Sequence, residues 1–134
     1  MKFYIGSSFK NHKLVNIFAE KLKQYGWEHT YNWANSIQEN ETEEDLIAYS
    51  RHEQKGIFDS DVVIILLPGG RGTHIELGMA LAWGKKIYLY SADGEEFKIE
   101  NTVNFYQIPE IIKLTGNMDD AIQKIIKENE RKDK

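Results

Sequence analysis

The stretch LPGGRGTHIE, from Leu67 to Glu76, places three glycines, an arginine and a threonine directly ahead of a glutamate. Two readings fit it. In the first, Thr73 caps a helix, Glu76 bonds back to the cap as its third residue, and Pro68-Gly69-Gly70 is only a turn. In the second, the loop holds a charged ligand. Gly69, Gly70 and Gly72 are more glycines than a short turn needs, and each costs about 1 kcal/mol of chain entropy if it has no purpose. Bare backbone N–H groups at a helix N-terminus suit an anion, and the Arg71 guanidinium matches phosphate or carboxylate oxygens. The helix dipole is expected to keep Glu76 ionised, and an ionised carboxylate facing a ligand is a nucleophile of the kind that attacks anomeric carbons. The residues alone leave the two readings open.

The surrounding pattern says where such a loop would lie. Lys2–Ile5 reads as a strand ending in Gly6-Ser7-Ser8. An amphipathic helix follows with Leu14, Val15, Phe18, Ala19 and Leu22 on one face, stopped by Gly26. Trp27–Tyr31 reads as a second strand, and 32–40 as a polar loop. A helix of about 15 residues comes next, with Thr42, Glu43, Glu44 and Asp45 in its acidic first turn. Asp61–Leu67 is apolar on both faces, as a parallel strand covered by helices on each side should be. The glycine loop, a helix to Trp83 with Gly84 as its stop, and a strand Lys86–Tyr90 follow. A short strand is expected near Phe105–Ile108, and a last helix from Met118, ending in a frayed, solvated tail.

Strand and helix alternate with short connections. That predicts an α/β three-layer sandwich with a parallel sheet of about five strands, flavodoxin-like in order. Ligands of such sheets bind outside the carboxyl ends of the strands. Both loops, 6–8 and 68–73, fall at such ends and should face one crevice.

Composition narrows the class further. The chain has 134 residues, 41% hydrophobic and 12% aromatic, as expected of one folded domain over 1–134 with a real core. Its net charge of −4 argues against a nucleic-acid polymer as partner. No apolar run reaches membrane-spanning length and no signal-peptide pattern opens the chain. The absence of cysteine excludes disulfides and thiolate metal sites and fits a cytoplasmic location. The histidines at 12, 29, 52 and 74 lack metal-ligand spacing, so no metal is expected, and nothing in the pattern calls for a cofactor.

FYIGSSF in the first strand, DSDVVIILL in the third and GRGTHIELGMALAWGKKI after it resemble the nucleoside 2-deoxyribosyltransferase family. The resemblance covers roughly residues 3–90. It implies a flavodoxin-like fold, no cofactor, and a homo-oligomer whose neighbours help close the site. It also implies that Glu76 attacks the sugar C1′ of a nucleoside or nucleotide, forming a glycosyl-enzyme that a base or water resolves. Tyr4 then holds the nucleophile, and Glu53 protonates the departing base. Two positions depart from the family pattern. Gly70-Arg71 stands where the transferases carry an acid, and Glu53 stands where they carry Asp. An arginine in place of an acid favours a 5′-phosphate over a free 5′-hydroxyl. PGGRGTHIE is also similar to the PGGxGTxxE loop of phosphoribohydrolases that cut nucleoside 5′-monophosphates. There Arg71, Thr73 and backbone amides would cradle the phosphate. A non-catalytic nucleotide sensor would keep the same crevice.

Other residues divide between site and scaffold. Gly6, Ser7 and Ser8 are expected to line the crevice. Phe9 beside them and Trp33 after the second strand are candidates to stack on a base, or rim and core aromatics. His74 is expected to face solvent. Asp59 and Asp61, at the opposite end of the sheet, read as turn and cap residues. Leu77, Ala80 and Leu81 read as core packing.

Overall fold

The structure is a computed structural model that describes residues 1–36 and 38–130. Five strands form one parallel sheet: β1 (Lys2–Ser7), β2 (Glu28–His29), β3 (Val62–Leu66), β4 (Lys86–Tyr90) and β5 (Ile111–Leu114). Their order is β2-β1-β3-β4-β5, the doubly wound order that the alternation of elements predicts. Helices α1 (His12–Lys23), α2 (Glu43–Asp59), α3 (Arg71–Ala82) and α4 (Met118–Glu128) cover its faces.

The core has two halves because a sheet residue faces one layer or the other. Phe3, Ile5, Ile64, Leu66 and Tyr88 pack with α1 and α4. Tyr4, Val63, Ile65, Ile87 and Leu89 pack with Ile57 of α2 and with Leu77 and Ala80 of α3. Every residue of β3 is buried, which explains its unbroken apolar run. Thr42 caps α2 in a reciprocal box with Asp45, and Gly26 and Gly84 take φ +84° and +68° where α1 and α3 must turn away.

Two strand boundaries, the place of a third strand and one helix start differ from the sequence expectation. β1 runs on through Gly6 and Ser7, which pair with Ile65 and Leu66, so only Ser8 remains of that loop. β2 is two residues long. The region near Phe105–Ile108 is a 3₁₀ turn (Asn104–Gln107), and β5 begins three residues later, where Ile111 and Leu114 can bury. Finally, α3 starts at Arg71, so Arg71, Gly72 and Thr73 belong to its first turn rather than to the loop. The C-terminal tail from 131 onward lies outside the described residues.

Candidate active site

β1 and β3 are neighbours, so the segments leaving their carboxyl ends meet over the middle of the sheet. Two contacts lock them together. Ser7 donates its hydroxyl proton to the Leu66 carbonyl at 2.7 Å, and Asn11 donates to Ser7 Oγ at 2.9 Å and to the Pro68 carbonyl at 3.3 Å. Ser7 therefore braces the two loops with its side chain. Asn11 was not legible as a site residue, because nothing in sequence marks an asparagine that spans two loops.

Between the loops lies a cavity of about 390 Å³ lined by Ser7, Ser8, Phe9, Trp33, Glu53, Gly70, Gly72, Thr73 and Glu76. Ser7, Ser8, Phe9 and Gly70 leave the two strand ends, Trp33 stands on a 3₁₀ turn (Trp33–Asn35), and Gly72, Thr73 and Glu76 stand on α3. Glu53 reaches in from α2. Thr73 Oγ1 accepts the Gly70 N–H at 3.0 Å, which closes the start of α3. Gly69 must be glycine there, since a Cβ would stand 2.7 Å from Thr73 Cγ2. At Gly70 and Gly72 a Cβ would meet nothing within 4 Å, so packing does not demand those two glycines. Their backbone is bare toward the cavity.

The capping-box reading of Thr73 and Glu76 is overturned. The cap is Gly70, Thr73 is the third residue of α3, and Glu76 sits in the second turn, too far in to serve the helix end. Its carboxyl accepts a hydrogen bond from the Tyr4 hydroxyl at 2.8 Å and is 7% exposed. Gly6 makes room for it, because a Cβ there would lie 2.8 Å from Glu76 Oε1. Tyr4 is fully buried under the cavity floor, so it reaches the carboxylate from behind and does not line the cavity.

The expectation that the dipole keeps Glu76 ionised is also overturned. Burial first, then the adjoining Glu53 carboxyl, push the Glu76 carboxyl up to about 9, and the Tyr4 hydrogen bond only partly opposes them. The dipole fades beyond the first turn, and Glu76 lies past it. Burial, and then the Glu76 charge, raise the Tyr4 phenol well above its ordinary value, so it remains a donor. Near neutral pH the Glu76 carboxyl therefore keeps its proton.

The remaining expected residues take distinct places. Trp33 donates its indole N–H to the Ile5 carbonyl at 2.6 Å, which fixes its ring as a wall of the cavity and packs it on the core at once. Phe9 is 57% exposed at the rim. Arg71 is exposed, lies outside the cavity lining and makes no hydrogen bond or ion pair with the described residues. His74 is not solvent-facing as expected. It is half-buried, with Nδ1 on the Gly70 carbonyl at 2.7 Å and Nε2 on the Tyr106 hydroxyl at 2.6 Å. It thus ties the glycine loop to the segment before β5. A carbonyl only accepts, so Nδ1 carries the proton and the Tyr106 hydroxyl donates to Nε2.

Beyond Phe9 and Trp33 the cleft continues into a second cavity of about 200 Å³. Its walls are Phe9, Tyr31, Trp33, Ser36, Glu41, Tyr49 and Glu53. The sequence reading placed only Phe9, Trp33 and Glu53 at the site, because Glu41 and Tyr49 look like the ordinary polar face of a helix start. The one available signal was a tryptophan two residues after a tyrosine in a polar loop. A larger apolar cavity of about 530 Å³ lies elsewhere, between α3 and the 103–110 segment, and neither carboxylate lines it. No cluster of metal-ligating side chains occurs among the described residues.

Residues 3–130 match the profile of the nucleoside 2-deoxyribosyltransferases, and the chain belongs to that family. No curated protein sequence matches it. Among solved structures it superposes on the Clostridium botulinum CMP N-glycosidase BcmB with TM-score 0.66 at 20% identity, covering 93% of this chain and 98% of that one. A conserved protein from Enterococcus faecalis V583 gives TM-score 0.67 at 16% identity, covering 96% and 98%. Both share its fold.

Proposed function

We propose that the protein is an enzyme, acting as a single domain in the cytoplasm, that cleaves or exchanges the N-glycosidic bond of a nucleoside or nucleotide through a glycosyl-Glu76 intermediate. The observation that carries this reading is the buried Glu76 carboxyl, held by Tyr4 on the cavity floor with Glu53 beside it and no cation to compensate. In the resting state Glu76, the more buried acid, holds a proton. A bound sugar brings C1′ over Glu76, and positive charge developing there draws the carboxylate into its ionised form. The proton passes to Glu53. A Glu76 oxygen then bonds to C1′ as the C1′–N bond breaks, its electron pair stays on the base nitrogen, and Glu53 gives that nitrogen the proton. The pair carries one negative charge before the step, and Glu53 carries it afterwards. Water or an acceptor base, deprotonated by Glu53, next displaces Glu76 from C1′.

Hydrolysis of nucleoside 5′-monophosphates is the second reading, favoured by one observation. Gly70 and Gly72 face the cavity at the start of α3 with space no side chain claims, as a phosphate cradle with Thr73 requires. The CMP N-glycosidase fold is in keeping with it. A nucleotide sensor remains as the non-catalytic reading. Incubation with nucleosides and their 5′-monophosphates, with and without an acceptor base, separates all three. Base exchange supports a transferase, free base from monophosphates alone a hydrolase, and binding without turnover a sensor.

A homo-oligomer completes the proposal. Leu46, Ile47 and Phe58 of α2 and Ile75 of α3 are 53–65% exposed on the same side of the sheet. That is an apolar surface a monomer has little reason to show. Sedimentation of the purified chain should give a mass above 15.6 kDa, and Ile47→Glu with Ile75→Glu should bring it down to that value.

A further inference from the structure

The second cavity has features the proposed chemistry does not by itself require. Glu53 lines both cavities, so it stands at their junction. If Glu53 protonates the leaving nitrogen, the sugar lies on the Glu76 side and the base must enter the smaller cavity. Phe9, Tyr31 and Trp33 offer ring faces there, and the indole is pinned through the Ile5 carbonyl. At about 200 Å³ the space is below the roughly 300–1,000 Å³ of pockets for drug-sized ligands, and suits one flat heterocycle.

The polar groups of this cavity are unbalanced. Tyr31 donates its hydroxyl proton to Ser36 Oγ at 3.1 Å, so that proton is already used. Glu41 supplies a carboxylate that only accepts. The Tyr49 hydroxyl is covered by its surroundings and forms no well-shaped hydrogen bond within the described residues, although Glu41 lies near enough to help raise its pKa after burial. The edge that a base would meet is thus rich in acceptors and anionic. A carbonyl pointed at Glu41 would be repelled. An amino group would find an acceptor there, with the Tyr49 hydroxyl set beside Glu41 to hold the carboxylate in place.

We propose that Glu41 and Tyr49 form a base-selecting edge that takes nucleobases bearing an exocyclic amino group, and rejects their oxo counterparts. The inference rests on the glycosidic reading for its orientation, and its test does not depend on turnover. Base release would be measured for cytidine against uridine and adenosine against inosine, as ribo- and deoxyribo-nucleosides and 5′-monophosphates. In parallel, binding of the same compounds would be titrated through Trp33 fluorescence in the Glu76→Gln protein. Wild type should favour the amino member of each pair by about 10- to 100-fold in kcat/KM, and the Glu76→Gln protein should show the same order in Kd. Glu41→Gln, whose amide can donate to a carbonyl, should bring both ratios close to one, chiefly by improving KM for oxo bases. Tyr49→Phe should weaken amino bases severalfold without favouring oxo bases.

A preference for oxo bases, or a ratio that Glu41→Gln leaves unchanged, would overturn the proposal. So would equal binding of all compounds, or none. Binding that discriminates without base release from any compound would refute the glycosidic reading alone and leave this edge standing.

Discussion

Two pairs of acids sit at opposite ends of the sheet, and α2 contributes one member to each. At the amino end, Asp59 accepts from Lys55 at 2.6 Å, and Asp61 accepts the Lys2 N–H at 2.8 Å. Both are exposed, and the Lys55 hydrogen bond holds the Asp59 carboxyl below its ordinary range. At the carboxyl end, Glu76 is buried against Glu53, no ion pair among the described residues involves either, and the Glu76 carboxyl is pushed the opposite way. The first pair is what a fold uses to finish a turn and a helix end. The second is one the fold would be more stable without. Acids kept where their charge is disfavoured mark chemistry rather than architecture.

The contrast breaks most sharply on activity. Glu76→Gln keeps an acceptor for Tyr4 and should lower kcat by about 10⁴-fold or more, the scale for loss of a nucleophile. Asp59→Asn and Asp61→Asn should change kcat by less than about twofold. An active Glu76→Gln protein would end the nucleophile assignment. Next in size, Glu53→Gln should slow base departure by about 10²–10⁴-fold, with less effect for bases that leave easily. Equal slowing of every base would make Glu53 a neighbour of the nucleophile and not its proton source.

Sequence alone could separate the two pairs only in part. Asp59 and Asp61 declared themselves by flanking an apolar strand, and Glu76 by the glycines ahead of it. The strand order followed from alternation, since each apolar run has a period that allows one element. Three things were hidden, the last two because they depend on contacts far apart in the chain. The start of α3 at Arg71 rests on the Gly70 N–H bonding to Thr73 Oγ1, a short-range choice that competes with Thr73 itself as the cap. The protonation of Glu76 requires α2 to bring Glu53 against it. The second cavity requires the loop after β2 to fold over α2, and no local pattern encodes that. The misplaced fifth strand has a plainer cause. FYQI alternates no better than IIKL, and only the parallel register with β4 chooses between them.

The pH dependence of stability sharpens the comparison from another side. The folded-state pKa of Glu76 is raised, so its contribution is fully present below about 4.5 and is lost as pH rises toward about 9. At pH 7 the loss is about 3 kcal/mol from 1.36 kcal/mol per unit of pH. Glu76→Gln should therefore unfold at higher denaturant concentration than wild type at pH 8, with the difference shrinking at pH 5. His29 works on the acid side. Burial first and Lys23 second lower it to about 4, both ring nitrogens lack partners, and it stacks on Phe3 at 4.5 Å. Its folded-state pKa is depressed, so stability falls as pH drops from about 6.5 toward 4, by about 2–3 kcal/mol. His29→Phe should flatten that acid limb and leave the alkaline one unchanged. A Glu76→Gln protein with the wild-type alkaline slope would show that the carboxyl is ionised at rest, and would remove the distinction drawn between the acid pairs.

The smallest effect belongs to Arg71, the cation on the first residue of α3 at the carboxyl end of the sheet. At the amino end Lys55 is engaged with its acid, whereas Arg71 is exposed and makes no hydrogen bond or ion pair with the described residues. It therefore does nothing measurable for the free fold, and Arg71→Ala should leave stability within about 0.5 kcal/mol. Its remaining use is a ligand anion. The guanidinium belongs to the first residue of α3, next to Gly72, so a 5′-phosphate resting on the backbone amides of that first turn would be within its reach. An exposed clamp of this kind stays screened by water, which limits it to about 1 kcal/mol rather than the 2–3 kcal/mol of a desolvated charged hydrogen bond. Arg71→Ala should thus reduce kcat/KM for monophosphates by about five- to tenfold and leave nucleosides unaffected. Added salt should shrink the difference, because the charge is exposed. A loss shared by both substrate classes would mean that Arg71 shapes the start of α3. Equal rates for wild type and variant on monophosphates would leave the phosphate to Thr73 and the backbone amides, and would make Arg71 a solvated surface charge like those at the other end of the sheet.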